Sequence, residues 1–411
     1  MLFRSQKALR KRSMRDDHLS VHTPKEGDGA GSKEREFTID FAARHYFPED
    51  RFPELENGLF NAGMAALPFR EEEIVPMTME ARTVATSSTC IEFVRNYLGI
   101  DEALYVALNR ARSNAVAIGK ARCFVISLGY VADMVVLIAH LYQSSYFQDI
   151  WRSGSNRGPL TNTPKRSREE ALAWMFETPA PVKDVPAPLS IALLSFCIEF
   201  TAFHELGHLV NGHLTSGNSA IAEMATIDDR DRLLTRRALE MDADAFAVQR
   251  CLEWAKLRSD TLDSNFEFLK GNQNSWITMI TAMFLVVVAM DRKPDKTFPD
   301  YNSFTHPPPY IRGFEVMAVV NRVFERWQAE KGLVLPVDWA NTIVRIRGCI
   351  EAAIADVGDS GWNQAAHDRW MSVIIQHDTA LLARWAKLRP QLDRRKLGRF
   401  NNLAAAQEPP A

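Results

Sequence analysis

Cysteine is scarce in this chain of 411 residues, which has five cysteines that are widely separated and never form a CxxC arrangement. An odd number at such spacings argues against a disulfide scaffold and against a zinc site built from cysteines, and it fits a reducing compartment. Net charge is also small, because 49 Lys and Arg face 51 Asp and Glu, for a formal charge of -2. That balance provides no overall electrostatic attraction for nucleic acid or for an anionic membrane.

Uninterrupted hydrophobic runs of bilayer length are missing as well. Residues 1–15 are basic, but no apolar core or cleavage site follows them, so no secretory signal is predicted. The apolar runs at 124–142 and 276–290 are either interrupted by charge or shorter than the ~20 residues that a bilayer requires. We therefore expect buried helices in a cytoplasmic protein, with a membrane-associated protein as the alternative.

The pattern along the chain is typical of a mainly α protein, α+β at most. We predict five regions: a disordered basic and polar tail at 1–36, a mainly helical region at 37–180, a core at 181–315, a C-terminal helical region at 316–396 and a polar tail at 397–411. Within the first helical region, 74–84 is the best strand candidate. The stretch 88–151 is predicted to be helical from its apolar pattern.

The core contains the ten residues HELGHLVNGH, which begin at His204 and end an apolar helix predicted from 189 to 210. His204 and His208 are four residues apart, so a helix presents both imidazoles on one face. With Glu205 they complete HExxH, which supplies two zinc ligands and a carboxylate that acts as general base. Gly207, inside the helix, would permit close approach of another backbone element.

Catalytic zinc usually has three protein ligands, so a third one is required. The pattern HExxHxxGxxH does not fit, because Asn211 and Leu214 stand where it needs Gly and His. His213 would lie about 140° around a continuing helix from His208, which argues against it as a ligand. Asn211 and Gly212 are the predicted end of that helix.

The stretch RALEMDADAFAVQ offers the missing ligand on a second helix, predicted at 229–257. Glu240 and Asp244 share one face of it, and the small Ala243 and Ala247 would let two helices pack closely. We assign Glu240 as the third ligand and Asp244 as the acceptor of a ligand histidine's free N–H. One Zn²⁺ ion is expected, and the alternative is a helical regulatory or interaction protein with a structural or vestigial zinc site.

The order of these motifs resembles that of the gluzincin zinc metallopeptidases. HELGH is followed by EMDAD and then by THPPPYIRG, in which His306 and Arg312 match the HPxxxxR element of that group. The similarity is to the HtpX and CAAX-prenyl-protease type or to the phage-exclusion Lit-type peptidases, and it covers about residues 190–315.

This resemblance implies a zincin-like core with two packed active-site helices, and a zinc-dependent endopeptidase that acts on a protein or peptide. It also implies that His306 or Arg312 donates a hydrogen bond to the tetrahedral oxyanion. The alternative is structural, with His306 fixing a loop and Arg312 pairing with an acid. A membrane-associated protease of the same chemistry is the alternative location, and a nucleic-acid partner is not expected.

Overall fold

The computed structural model describes residues 45–61, 79–109, 115–143, 187–214, 229–259, 272–289, 309–331, 346 and 364–397. Of these residues 81% are helical, so the protein is mainly α, as expected. The described residues form eight α-helices: α1 (Phe52–Asn61), α2 (Met79–Leu98), α3 (Leu128–Gln143), α4 (Ala187–Val210), α5 (Asp229–Ser259), α6 (Asn272–Ala289), α7 (Pro309–Lys331) and α8 (Gln364–Arg395). The strands are β1 (Tyr105–Asn109), β2 (Ala115–Ile118) and β3 (Cys123–Ser127).

Helix α4 lies at the centre of the core. It packs against α2, α3, α5 and α6 and also contacts β2 and β3. Its residues are apolar on nearly every side, which is typical of a helix surrounded by other elements. Among the described helices it alone has the length and hydropathy to cross a bilayer, and 89% of that stretch is buried within the protein. A core helix and a membrane span share this composition.

Helices α4 and α5 approach each other closely at Gly207, as the sequence predicts. A Cβ at this position would lie 3.2 Å from the Cα atom and 3.3 Å from the carbonyl oxygen of Ala243. A side chain there would press on the backbone of α5 rather than on a flexible group. The pair Gly207 and Ala243 therefore sets the separation of the two helices that carry the predicted metal ligands.

The small sheet packs on both of its faces. β3 is the middle strand, parallel to β1 and antiparallel to β2. Alternate side chains of β3 point to opposite faces. Phe124 and Ile126 join the main core with α4, whereas Cys123 and Val125 belong to a smaller apolar cluster that includes residues of α1.

Two of the secondary-structure predictions are wrong. The strand candidate at 74–84 is helical from Met79 onward, and residues 74–78 lie outside the described ranges. The stretch 88–151, predicted as helical, contains all three strands. β3 is buried at all five positions, so its sequence CFVIS has no alternation that separates a strand from a buried helix. By contrast, α4 and α5 begin and end within two residues of their predicted bounds.

Candidate metal centre

Three side chains from α4 and α5 converge on one point. His204, His208 and Glu240, here called the metal cluster, each offer one ligand atom, and these atoms lie within 4.8 Å of one another. The Nε2 atoms of the two histidines are 3.2 Å apart. The Glu240 carboxylate lies 3.3 Å from Nε2 of His204 and 3.5 Å from Nε2 of His208. The structure thus brings together the three ligands predicted from the sequence.

The electrostatics of the cluster favour a cation. Burial lowers the pKa of His204, but the neighbouring carboxylates of Asp244 and Glu240 outweigh burial and raise it to about 10. A divalent ion would supply this positive charge in exchange for the imidazole proton. The side chains of His208 and Glu240 remain 13% and 17% exposed, so solvent reaches the cluster. The cluster can therefore hold a metal ion.

Asp244 orients His204, the first histidine of the metal cluster. Its Oδ1 lies 2.8 Å from Nδ1 of His204, which is the predicted contact, and the ring is held with Nε2 towards the cluster. Arg312 of α7 donates from Nε to Oδ2 of Asp244 at 2.6 Å and from Nη2 to Oδ1 at 2.7 Å. Burial alone would raise the pKa of Asp244, but Arg312 and His204 lower it to about 2. The carboxylate therefore stays ionised and accepts all three hydrogen bonds.

The sequence leaves two roles open for Arg312, and the observed contacts favour one of them. Its guanidinium is buried against Asp244, which is the predicted alternative of pairing with an acid. In this position it acts on the cluster through Asp244 and His204. His306, the other proposed oxyanion donor, lies outside the described residues.

Glu205 is buried next to the two ligand histidines on α4. Burial raises the pKa of this carboxyl, and Glu240 adds to the rise, whereas His204 and His208 counteract it. A raised pKa brings the proton affinity of a carboxylate closer to the range in which it acts as general base near neutral pH. Glu205 is therefore chemically suited to the role that its place in HExxH predicts.

The sequence interpretation missed a second group of polar residues, which lies behind His208. His213 places its Nδ1 2.9 Å from Nδ1 of His208, and its Nε2 lies 3.0 Å from Oδ2 of Asp242. A continuing helix would place His213 about 140° from His208, but Gly212 has φ +80° and turns the chain back. The predicted helix end at Gly212 was itself the signal that could have identified this contact.

Comparison with known proteins adds no relative. No protein-family model, no curated protein and no solved structure matches this chain. The resemblance to the gluzincins therefore stays an expectation from three sequence motifs, and a proposal on function depends on the chemistry of the metal cluster and its neighbours.

Proposed function

We propose that the chain is a zinc-dependent metalloendopeptidase that hydrolyses peptide bonds in a protein or peptide substrate. The observation that carries this proposal is the convergence of His204, His208 and Glu240, with Glu205 buried beside them. Two imidazoles and one carboxylate form a donor set of hydrolytic zinc enzymes, whereas a structural zinc site has four protein ligands. Within the described part of the chain this group has three members.

The chain's own residues account for binding, orientation and proton transfer. His204, His208 and Glu240 would hold Zn²⁺, which would supply a Lewis acid that polarises a carbonyl oxygen and lowers the pKa of bound water to about 7. Glu205 accepts a proton from the attacking water and then passes it to the departing amine. Asp244 accepts the Nδ1 proton of His204, which would leave the Nε2 lone pair facing the metal cluster, and Arg312 holds Asp244 in place.

The first experiment measures zinc content and peptide hydrolysis of the purified protein and of Glu205→Gln. We expect one zinc per chain, and activity that is lost on chelation and restored by added zinc. Glu205→Gln should keep its zinc and lose about 10²–10⁴-fold in rate, the range typical of a general base.

The matched control is Glu199→Gln. Glu199 is also a buried glutamate of α4, but it pairs with Arg258 and is not a member of the metal cluster. This variant reproduces the loss of a buried charge and should retain hydrolysis while its stability changes. A purified protein without zinc, or Glu205→Gln that cleaves as fast as the parent, contradicts the proposal.

A further inference from the structure

A chain of hydrogen bonds leads from the second ligand histidine away from the metal cluster and ends on α8. His208 and His213 are joined through their Nδ1 atoms at 2.9 Å, and His213 Nε2 lies 3.0 Å from Oδ2 of Asp242. Trp385 of α8 donates from Nε1 to the other oxygen of Asp242 at 2.9 Å. His213, Asp242 and Trp385 are all buried, so their polar groups must find partners within the protein.

The direction of each hydrogen bond in this series follows from Asp242, which accepts from His213. Asp242 is a carboxylate and only accepts, so His213 must donate to it from Nε2. A neutral His213 then accepts at Nδ1, and His208 must donate from its own Nδ1. The lone pair of His208 is thereby placed on Nε2, the atom that faces the metal cluster.

Two further contacts keep Asp242 and α8 in position. Asn211, in the turn after α4, donates from Nδ2 to Oδ2 of Asp242 at 2.7 Å. Just beyond α8, the backbone N–H of Leu397 donates to the carbonyl oxygen of Val210 at 2.7 Å. Helix α8 therefore reaches both the carboxylate behind His213 and the end of the helix that carries the ligand histidines.

Each of the two ligand histidines is connected to a carboxylate by hydrogen bonds, one directly and the other through a second imidazole. His204 donates directly to Asp244, whereas His208 reaches Asp242 through an intervening imidazole. Both carboxylates belong to α5, two residues apart. Because both ring nitrogens of His213 are engaged in these contacts, it is not available as a fourth ligand in this arrangement.

We infer that His213 is a positioning residue that fixes the tautomer and ring orientation of His208 for metal binding. Asp242 sets the tautomer of His213, and Trp385 makes α8 part of the support of the metal centre. This inference rests on the metal centre of the proposed function, but it concerns metal affinity and does not require peptide hydrolysis.

The test measures zinc affinity by competition with a chromogenic chelator, together with the visible spectrum of the Co²⁺-loaded protein. Loss of the hydrogen-bond partner of a metal-ligating histidine costs about 10–100-fold in metal affinity. We expect His213→Leu to weaken zinc binding by about this factor and to change the Co²⁺ absorption bands. His213→Asn retains an acceptor near the position of Nδ1 and should recover part of the affinity. Trp385→Phe removes the N–H donor to Asp242, two hydrogen bonds away from His213. It should therefore weaken zinc binding by a smaller factor.

Two variants at residues outside this series of hydrogen bonds control for a general loss of stability. His45→Leu also removes a buried histidine with a carboxylate partner, since His45 Nε2 lies 2.7 Å from Glu92. Trp327→Phe matches Trp385→Phe, because both indoles are 5% exposed and Trp327 packs against Trp276 at a centroid distance of 5.9 Å. Both controls should lower the unfolding temperature and leave zinc affinity unchanged.

The outcomes separate this inference from the proposed function. Zinc affinity and a Co²⁺ spectrum that are unchanged in His213→Leu overturn the inference and leave the metal centre intact. If His213→Leu does not fold, the same two readouts on His213→Asn and Trp385→Phe decide, and parental values in both overturn the inference. If these variants bind zinc more weakly but the parent protein hydrolyses no peptide, the inference is supported and the proposed activity is refuted. A parent protein that binds no metal overturns both.

Discussion

The ion pair between Arg312 and Asp244 permits a quantitative prediction. Both side chains are nearly inaccessible, at 4% and 2% exposure, and they share two hydrogen bonds of 2.6 and 2.7 Å. Arg312→Leu leaves the carboxylate buried, with His204 as its remaining described partner. Breaking a buried pair on one side costs about 3–5 kcal/mol when it leaves an uncompensated charge. Without a metal, His204 is protonated at neutral pH because its pKa is raised to about 10, and it offsets part of the charge of Asp244. We therefore expect the free energy of unfolding to fall by about 3 kcal/mol, the lower end of that range.

The same helix provides a control for the effect of burial. Arg326 of α7 pairs with Glu330 at 2.8 Å, but these side chains are 42% and 44% exposed. Solvent screens such a pair, and surface ion pairs contribute roughly 0–1 kcal/mol. Arg326→Leu should therefore cost far less than Arg312→Leu, although each variant removes an arginine that forms a short contact with an acid.

The assay is urea unfolding of the parent, Arg312→Leu, Asp244→Asn and the double variant, all in the presence of a chelator. The chelator removes the contribution of metal binding to the stability of the folded state. The double variant leaves neither charge unpaired. The losses in unfolding free energy of the two single variants should therefore add up to about 0.5–3 kcal/mol more than the loss in the double variant. A loss below about 1 kcal/mol in Arg312→Leu, or strictly additive effects, would refute this reasoning.

Two further predictions concern the stability of the folded protein. Burial raises the pKa of Glu315, with Asp378 adding to it, and neither carboxylate oxygen has a hydrogen-bond partner within the described residues. The folded state therefore binds this proton more tightly than the unfolded chain, and stability falls as pH rises above the ordinary carboxyl pKa of about 4.3. Glu315→Gln should raise the unfolding temperature at pH 7 and have little effect at pH 4, and equal gains at both would contradict the assignment. Gly212→Ala should lower the free energy of unfolding by ~1–2 kcal/mol, because φ is +80° there and a non-glycine residue is strained in this conformation. Crowding should lower it by about 1–3 kcal/mol more, because the new Cβ would lie 2.9 Å from the carbonyl oxygen of Leu392. Gly99→Ala at φ +64°, with open space around it, should cost only the first amount, and equal urea midpoints for the two variants would exclude the crowding.

The sequence by itself determined the parts of the site that lie within one helix. His204 and His208 share a face because the period of the α-helix is local, and Glu240 and Asp244 share a face for the same reason. Long stretches with a helical pattern of residues also made the bounds of α4 and α5 predictable. The strands were not predictable in this way. β3 is buried at all five positions and therefore shows no alternation of apolar and polar residues, and its parallel partner β1 lies on the far side of β2 in the chain.

Tertiary structure alone decided which residue holds Asp244 and which residues stand behind His208. Arg312 reaches Asp244 across 68 positions of sequence, and Trp385 reaches Asp242 across 143. His213 meets His208 through the local turn at Gly212, but the carboxylate on its other side, Asp242, lies 29 positions further along the chain. Such contacts depend on the packing of elements far apart in the chain, and no local pattern of residue types encodes which of several acids a buried donor will meet. The sequence therefore specified the three members of the metal cluster and the contact between Asp244 and His204, and the fold supplied the hydrogen bonds of Arg312 to Asp244 and of Asp242 to His213.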